Sequence, residues 1–175
     1  MEFTTAKILG PVAKLKIGVS SCLLGESVRY DGGHKYNQTV IDLFDLGDQF
    51  EAVPVCPEVE MGMGIPREPV HIVMGDERLV GVESGKDWTE ALHSFNTEKL
   101  EELTRLNVSG FIFKTRSPSC GIQAIHQETS ETTSGLFARA FMKHFPDIPV
   151  IDEEQLQDKQ ARENFIARVV ELGEK

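Results

Sequence analysis

A chain of 175 residues with an apolar fraction of 40% can build one well-buried core, so a single domain spanning residues 1–175 is expected. The formal charge of −10 excludes a long nucleic-acid track, which needs a basic face, yet allows a locally positive pocket for one small anion. Met1 to Lys16 mixes Glu2, Lys7, Lys14 and Lys16 with short apolar pieces, and no run approaches the roughly 18 apolar residues of a membrane span. A soluble, cytoplasmic protein is therefore expected.

In chain order, Lys16 to Ser20 (KIGVS) has the apolar character of a strand buried on both faces, and it leads into Ser20-Ser21-Cys22-Leu23-Leu24-Gly25. The continuation, Val28 to Lys35, is too polar and glycine-rich for core. Gly32 and Gly33 would let backbone approach a ligand, Arg29 and Lys35 bring charge, and Tyr30 brings a flat stacking surface; the plain alternative is a solvated loop with a tyrosine anchor. After a predicted helix over Tyr36 to Leu46, a second strand, Ala52 to Val55 (AVPV), runs into Cys56-Pro57-Glu58. Prolines at 57, 66 and 69 predict a rigid connection here rather than an element. Glu58, two residues past a thiol on a stiff turn, is placed for general acid or base work, or for capping amides or pairing with Arg67.

Val70 to Met74 and Arg78 to Val82, split by Gly75-Asp76, predict a hairpin. Leu92, Phe95, Leu100, Leu103 and Leu106 keep helical spacing within a helix expected over Trp88 to Leu106. The third strand, Gly110 to Phe113 (GFIF), enters Lys114-Thr115-Arg116-Ser117-Pro118-Ser119-Cys120-Gly121, where Gly121 is expected to leave space beside the thiol. Ser117 and Ser119 flank a proline that fixes their directions. With no Ser-x-x-Lys, nucleophile elbow or paired histidine nearby, they are expected to orient substrate or to hydrogen-bond a metal-bound sulfur. A helix over Ser134 to His144, a strand at Ile148 to Ile151 and a helix over Glu153 to Leu172 complete the chain. Asp152, Glu153 and Glu154 are read as lying away from the cysteine motifs.

Strand and helix in alternation imply an α/β fold: a single-domain, Rossmann-like three-layer sandwich whose mostly parallel sheet carries a β-hairpin insertion. Ligands bind such sheets beyond the carboxyl ends of the strands, where strand order reverses, and three thiols follow three strands. An odd count of three cysteines in a reducing compartment points to metal or catalysis rather than disulfides, the alternative being small buried hydrophobes. Zinc is an open alternative, although a structural zinc site usually closes with four ligands at short Cys-x-x-Cys spacings, which are absent. Three thiolates can hold a 4Fe-4S cubane and leave one iron open, a Lewis acid with affinity for soft sulfur. His34 could instead close the set and silence that iron. A cluster-free thiol protein and a non-catalytic nucleotide-binding or cluster-sensing module remain open as other classes.

Taken together, VSSCLLGESVRYDGGHK (Val19 to Lys35), PVCPEVEMGMGIPREP (Pro54 to Pro69) and KTRSPSCG (Lys114 to Gly121) resemble the iron–sulfur-dependent thiouracil desulfidase family over nearly the whole chain. The resemblance implies a cytoplasmic enzyme of nucleotide salvage that replaces the C=S of 4-thiouracil or 4-thiouridine monophosphate by C=O, without net redox change. It implies Cys22, Cys56 and Cys120 as ligands of a 4Fe-4S cluster with one open iron, and Glu58 with a serine, Ser117 in preference to Ser119, in proton transfer and positioning. Arg29, Tyr30, His34, Lys35, Arg116 and Ser119 are inferred from charge and position, not from a family pattern, as contacts to base and phosphate. The expected partner is a small thiolated pyrimidine acted on by a monomer, with no membrane and no long nucleic acid.

Overall fold

A computed structural model describes residues 12–45, 47–73, 75, 77–125 and 132–175. The first half comprises β1 (Leu15–Ser20), a 3-10 turn (Ser21–Leu24), α1 (Gln38–Asp45), β2 (Phe50–Val55), α2 (Pro57–Glu60), β3 (Val70–Val73), β4 (Arg78–Gly81) and α3 (Thr89–Arg105). The second comprises β5 (Val108–Phe113), β6 (Ala124–Ile125), β7 (Thr132–Thr133), α4 (Leu136–His144), β8 (Val150–Asp152), a 3-10 turn (Gln155–Gln157) and α5 (Lys159–Gly173).

The central sheet has the order β2-β1-β5-β8, and every neighbouring pair is parallel. All six residues of β5 are buried, because the strand is flanked on both sides and covered on both faces. Its neighbour-but-one β2 lies at the edge, where Pro54 loses no ladder bond on the open side. One face packs Phe111 and Phe113 against α3 and α4; ring centroids of Phe111 and Phe113 are 4.1 Å apart, and those of Phe111 and Phe141 are 4.9 Å apart. Gly18 makes room for this nest, since a Cβ there would sit 2.3 Å from the Phe111 ring. Ile17, Val19, Ile112 and Ile151 bury the other face with Val40 and Leu43 of α1 and Phe165 and Val169 of α5. The result is the expected α/β sandwich, with β3 and β4 as an antiparallel hairpin outside the main sheet.

Local chemistry moved several expected boundaries. The helix expected from Tyr36 starts at Gln38, because the Asn37 side chain accepts the Val40 N–H at 3.1 Å. The helix expected from Glu153 starts at Lys159, where the Asp158 carboxylate accepts the Ala161 N–H at 2.8 Å; the residues before it make a separate 3-10 turn. The segment after Cys56 holds an element after all. Pro57 occupies the first position of α2, where a missing N–H costs nothing, and Glu58 and Glu60 suit the positive end of the helix dipole. Met74 and Asp76 of the expected hairpin, and Leu46 of the first helix, lie outside the described residues. Among the described residues no helix is long and apolar enough to cross a membrane.

Candidate functional site

Parallel strands put their carboxyl ends on one edge, and Cys22, Cys56 and Cys120 follow β1, β2 and β5, three adjacent strands. The chain runs outward from β1 to β2 and then crosses back to β5, so the thiols gather where strand order reverses. Each is fixed by its own local device. Cys22 sits in the 3-10 turn, its carbonyl accepting the Lys35 N–H at 2.9 Å. Cys56 is the N-cap residue of α2 and donates its N–H to Glu60 Oε2 at 2.9 Å, while Lys99 Nζ holds the other Glu60 oxygen at 2.6 Å. Cys120 lies in a loop braced by α4, whose Leu136, Phe137 and Ala138 amides donate to the carbonyls of Pro118 and Ser119 at 3.0 to 3.1 Å. Amides that a helix start leaves without partners thus shape the loop. A Cβ at Gly121 would meet Ser117 O at 2.7 Å, so this glycine lets the loop fold on itself rather than making space beside the thiol.

The three thiols line one cavity of about 390 Å³, together with Arg29, Tyr30, Lys35, Glu58, Ser117, Ser119 and Arg116 from the expected set. His34 is not among the lining residues; it is exposed, and its Nδ1 accepts the Tyr36 N–H at 3.1 Å. Gly32, at φ 78°, and Gly33 close a turn with Arg29, joined by Gly32 N to Arg29 O at 2.9 Å and Arg29 N to Gly33 O at 3.1 Å. These glycines therefore serve the turn that carries Arg29 and Tyr30.

Two further cations line the cavity, Arg67 and Lys114, and both are spoken for. Lys114 Nζ donates to Glu153 Oε1 at 2.6 Å, and Thr115 donates to Glu153 through its N–H at 2.8 Å and its hydroxyl at 2.6 Å. Arg116 pairs with Glu154. Glu153 and Glu154, distant in sequence from the cysteine motifs, are thus beside the third one, because β8 pairs with β5. Among the described residues Arg29 and Lys35, both in the cavity lining, have no carboxylate partner; the Arg29 guanidinium instead acts on the Cys22 thiol and lies 5.7 Å from the centroid of the Tyr30 ring. The signal for Lys114 was its place as the first residue after a strand, and for Arg67 its place between prolines 66 and 69.

Glu58 projects into the cavity with its side chain 13% exposed. Its Oε2 accepts from Arg67 Nε and Nη2, each at 2.8 Å, and its Oε1 accepts from Ser119 Oγ at 3.1 Å. Ser117 Oγ stands 3.1 Å from Ser119 Oγ and accepts the Cys120 N–H at 3.0 Å. Ser119 is therefore the serine in contact with Glu58, and Ser117 stands one hydrogen bond further back.

Burial pushes all three thiols up, Cys56 to about 11, with Cys22 and Cys120 also raised chiefly by burial; the other two cysteines add to the effect at Cys120. Bare thiols of this kind are protonated and unreactive at neutral pH, unlike redox cysteines. Metal binding would drive off their protons. Among the described residues no three His, Cys, Asp or Glu groups lie close enough together to ligate a single ion. Three thiols spread around one cavity fit a cluster whose cysteines attach to separate irons.

Cluster-free protein has a consequent alkaline weakness. Unfolded thiols titrate near the ordinary 9.0, whereas Cys56 in the fold holds its proton to about 11, so the native state binds more protons between those values. This contribution to stability is present below pH 9.0 and is lost as pH rises through about 11. The Tm of cluster-free protein should fall over that window, and less steeply in Cys56→Ala; equal slopes would show that Cys56 is not responsible.

A model of the family described as 2-thiouracil desulfurase matches residues 17–153. The uncharacterized protein YbbK of Bacillus subtilis (strain 168) is 36% identical over 151 residues, covering 80% of this chain and 97% of YbbK. A solved structure, the [4Fe-4S]-dependent thiouracil desulfidase TudS, is similar with a TM-score of 0.69 at 32% identity, covering 82% of this chain and 94% of that one. Site, fold and sequence agree, and the chain belongs to the 2-thiouracil desulfurase family.

Proposed function

We propose that this protein is a desulfidase of thiolated pyrimidines, 4-thiouracil and 4-thiouridine monophosphate among them, that depends on a 4Fe-4S cluster held on Cys22, Cys56 and Cys120. The observation that carries the reading is that three thiols from three adjacent strand ends share one cavity with Glu58. A cluster bound by three cysteines supplies an open iron, a Lewis acid for a thiocarbonyl sulfur. Replacing C=S by C=O consumes one water and yields sulfide, with no electrons gained or lost.

The protein's own part is binding and proton handling. Glu58 accepts a proton from water at Oε1, the oxygen that also holds the Ser119 hydroxyl. Ser117 keeps Ser119 in line through the 3.1 Å contact between their hydroxyls. Tyr30, 41% exposed at the cavity wall, offers its ring to the pyrimidine. Arg29 and Lys35, lining cations without a carboxylate partner among the described residues, receive a 5′-phosphate. Arg116, taken by Glu154, and His34, outside the cavity lining, contribute less. A cytoplasmic monomer working in nucleotide salvage suits the cysteines and the small cavity.

The test is anaerobic purification followed by iron and sulfide analysis, then assay of sulfide release and oxo product from 2-thiouracil, 4-thiouracil and 4-thiouridine monophosphate. A brown protein that releases sulfide supports the reading; stoichiometric zinc without iron, or cluster-loaded protein inert toward all three, refutes it. Charge-assisted hydrogen bonds to phosphate contribute roughly 1.5 to 3 kcal/mol, or about tenfold to somewhat over a hundredfold. 4-Thiouridine monophosphate should therefore exceed 4-thiouridine and 4-thiouracil in kcat/KM by about that factor, and the gap should shrink at high salt. Equal values for all three would return Arg29 and Lys35 to structural roles while leaving the cluster assignment intact.

A further inference from the structure

We infer that Arg67 is a positioning residue that fixes both the orientation of Glu58 and the direction of the hydroxyl chain leading to it; this rests on the desulfidase reading above. Arg67 places both Nε and Nη2 on one carboxylate oxygen, Oε2, each at 2.8 Å. That leaves Oε1 alone for Ser119. The guanidinium is itself held: Nη1 donates to Gly64 O at 3.1 Å, the backbone N–H donates to Tyr30 O at 2.8 Å, and the side chain is only 5% exposed.

The far end of the chain is equally constrained. Ser117 Oγ accepts two backbone amides, Cys120 N–H at 3.0 Å and Ser119 N–H at 3.3 Å, which occupy both of its lone pairs. Its proton therefore goes to Ser119 Oγ, and the Ser119 proton goes to Glu58 Oε1. Amides at one end and a guanidinium at the other orient Ser117, Ser119 and Glu58 in a single sense. Without Arg67 the carboxylate is free to rotate, either oxygen can face Ser119, and the chain loses its fixed acceptor. Because the Arg67 N–H also holds the carbonyl of Tyr30, the same residue ties the carboxylate to the turn that carries Arg29 and Tyr30.

The experiment is a double-mutant cycle of Arg67→Met with Glu58→Gln, with Arg67→Lys as the conservative variant, all checked for iron content. In kinetics, Arg67→Met should lower kcat about tenfold or more while leaving cluster content at the wild-type level. Arg67→Lys keeps the charge but not the two-pronged grip, so it should recover only part of the loss. In the Glu58→Gln background Arg67→Met should cost little more, because the residue acts through Glu58. Full additivity of the two kcat losses, or full activity in Arg67→Met, would overturn the inference. A second arm needs no turnover. In cluster-free protein, Arg67→Met should lower Tm by about 5 °C or more, because it strands a carboxylate only 13% exposed, and Glu58→Gln should restore most of that loss. Additive Tm changes would equally refute the pairing. Cluster-loaded wild type that releases no sulfide would sink the desulfidase reading, whereas the Tm cycle decides the Arg67–Glu58 coupling separately.

Discussion

Replacing any one of Cys22, Cys56 or Cys120 by Ser is expected to remove most of the iron and abolish desulfidation, the largest effect that a single substitution should have here. Three thiolates are the minimum that keeps a cubane attached at three corners, and an alkoxide is a harder, far less available donor than a thiolate. The change is nearly isosteric, so the apoprotein should stay folded, which separates loss of cluster from loss of structure. Cys120, 5% exposed within the loop braced by α4, is the most enclosed of the three, and its serine variant should resist reconstitution most completely. Iron and acid-labile sulfide content, visible absorption and turnover, measured anaerobically, check all three. A full cluster with wild-type turnover in any variant would remove that residue from the ligand set.

Glu58→Gln should lose activity by a factor of about 10² to 10⁴ while retaining the cluster, because it removes the proton acceptor and no iron ligand. Glutamine keeps the shape of the side chain and can still accept from Ser119, so the 3.1 Å contact can survive in altered form. It cannot take up a proton from water. The ion pair with Arg67 is also broken, and Tm should be measured alongside, since a guanidinium 5% exposed is left without its carboxylate. Normal kcat with normal iron would make Glu58 a structural carboxylate that merely pairs with Arg67. Loss of iron together with activity would place it instead in support of the cluster. The expected outcome is a fall in kcat larger than any change in KM, because the lost interaction belongs to the reacting centre.

Much of the fold was legible in the sequence because it is encoded locally. KIGVS, AVPV and GFIF are short apolar runs whose composition admits little but buried strands, and each observed strand contains its run. The cysteine motifs could be tied to one another without coordinates, since parallel strands bring their carboxyl ends to one edge whatever the details of packing. Helix ends were less legible, because a cap such as Asn37 or Asp158 competes with the apolar pattern for where the first turn begins. The one-turn helix at Pro57 was missed for the same kind of reason: a proline that forbids a helix interior is well suited to its first position.

Tertiary structure alone decided which polar groups meet. Glu153 and Glu154 are 39 and 38 positions from Lys114 and Arg116, and no local pattern pairs them; the register of β8 on β5 does. That pairing occupies Arg116, whereas among the described residues Arg29 and Lys35 of the cavity lining have no carboxylate partner. His34, one residue from Lys35, is not among the lining residues; its ring accepts the Tyr36 N–H in a local turn. The choice between two serines was likewise beyond the sequence, since Ser117 and Ser119 share one motif and differ only in what each side chain can reach across the fold. Composition and period thus determined strands, helices and the meeting of three thiols, because these follow from backbone geometry and burial. Long-range hydrogen bonds determined the charges and the hydroxyl that line the site, because their energies depend on distances of about 3 Å that only the packed chain sets.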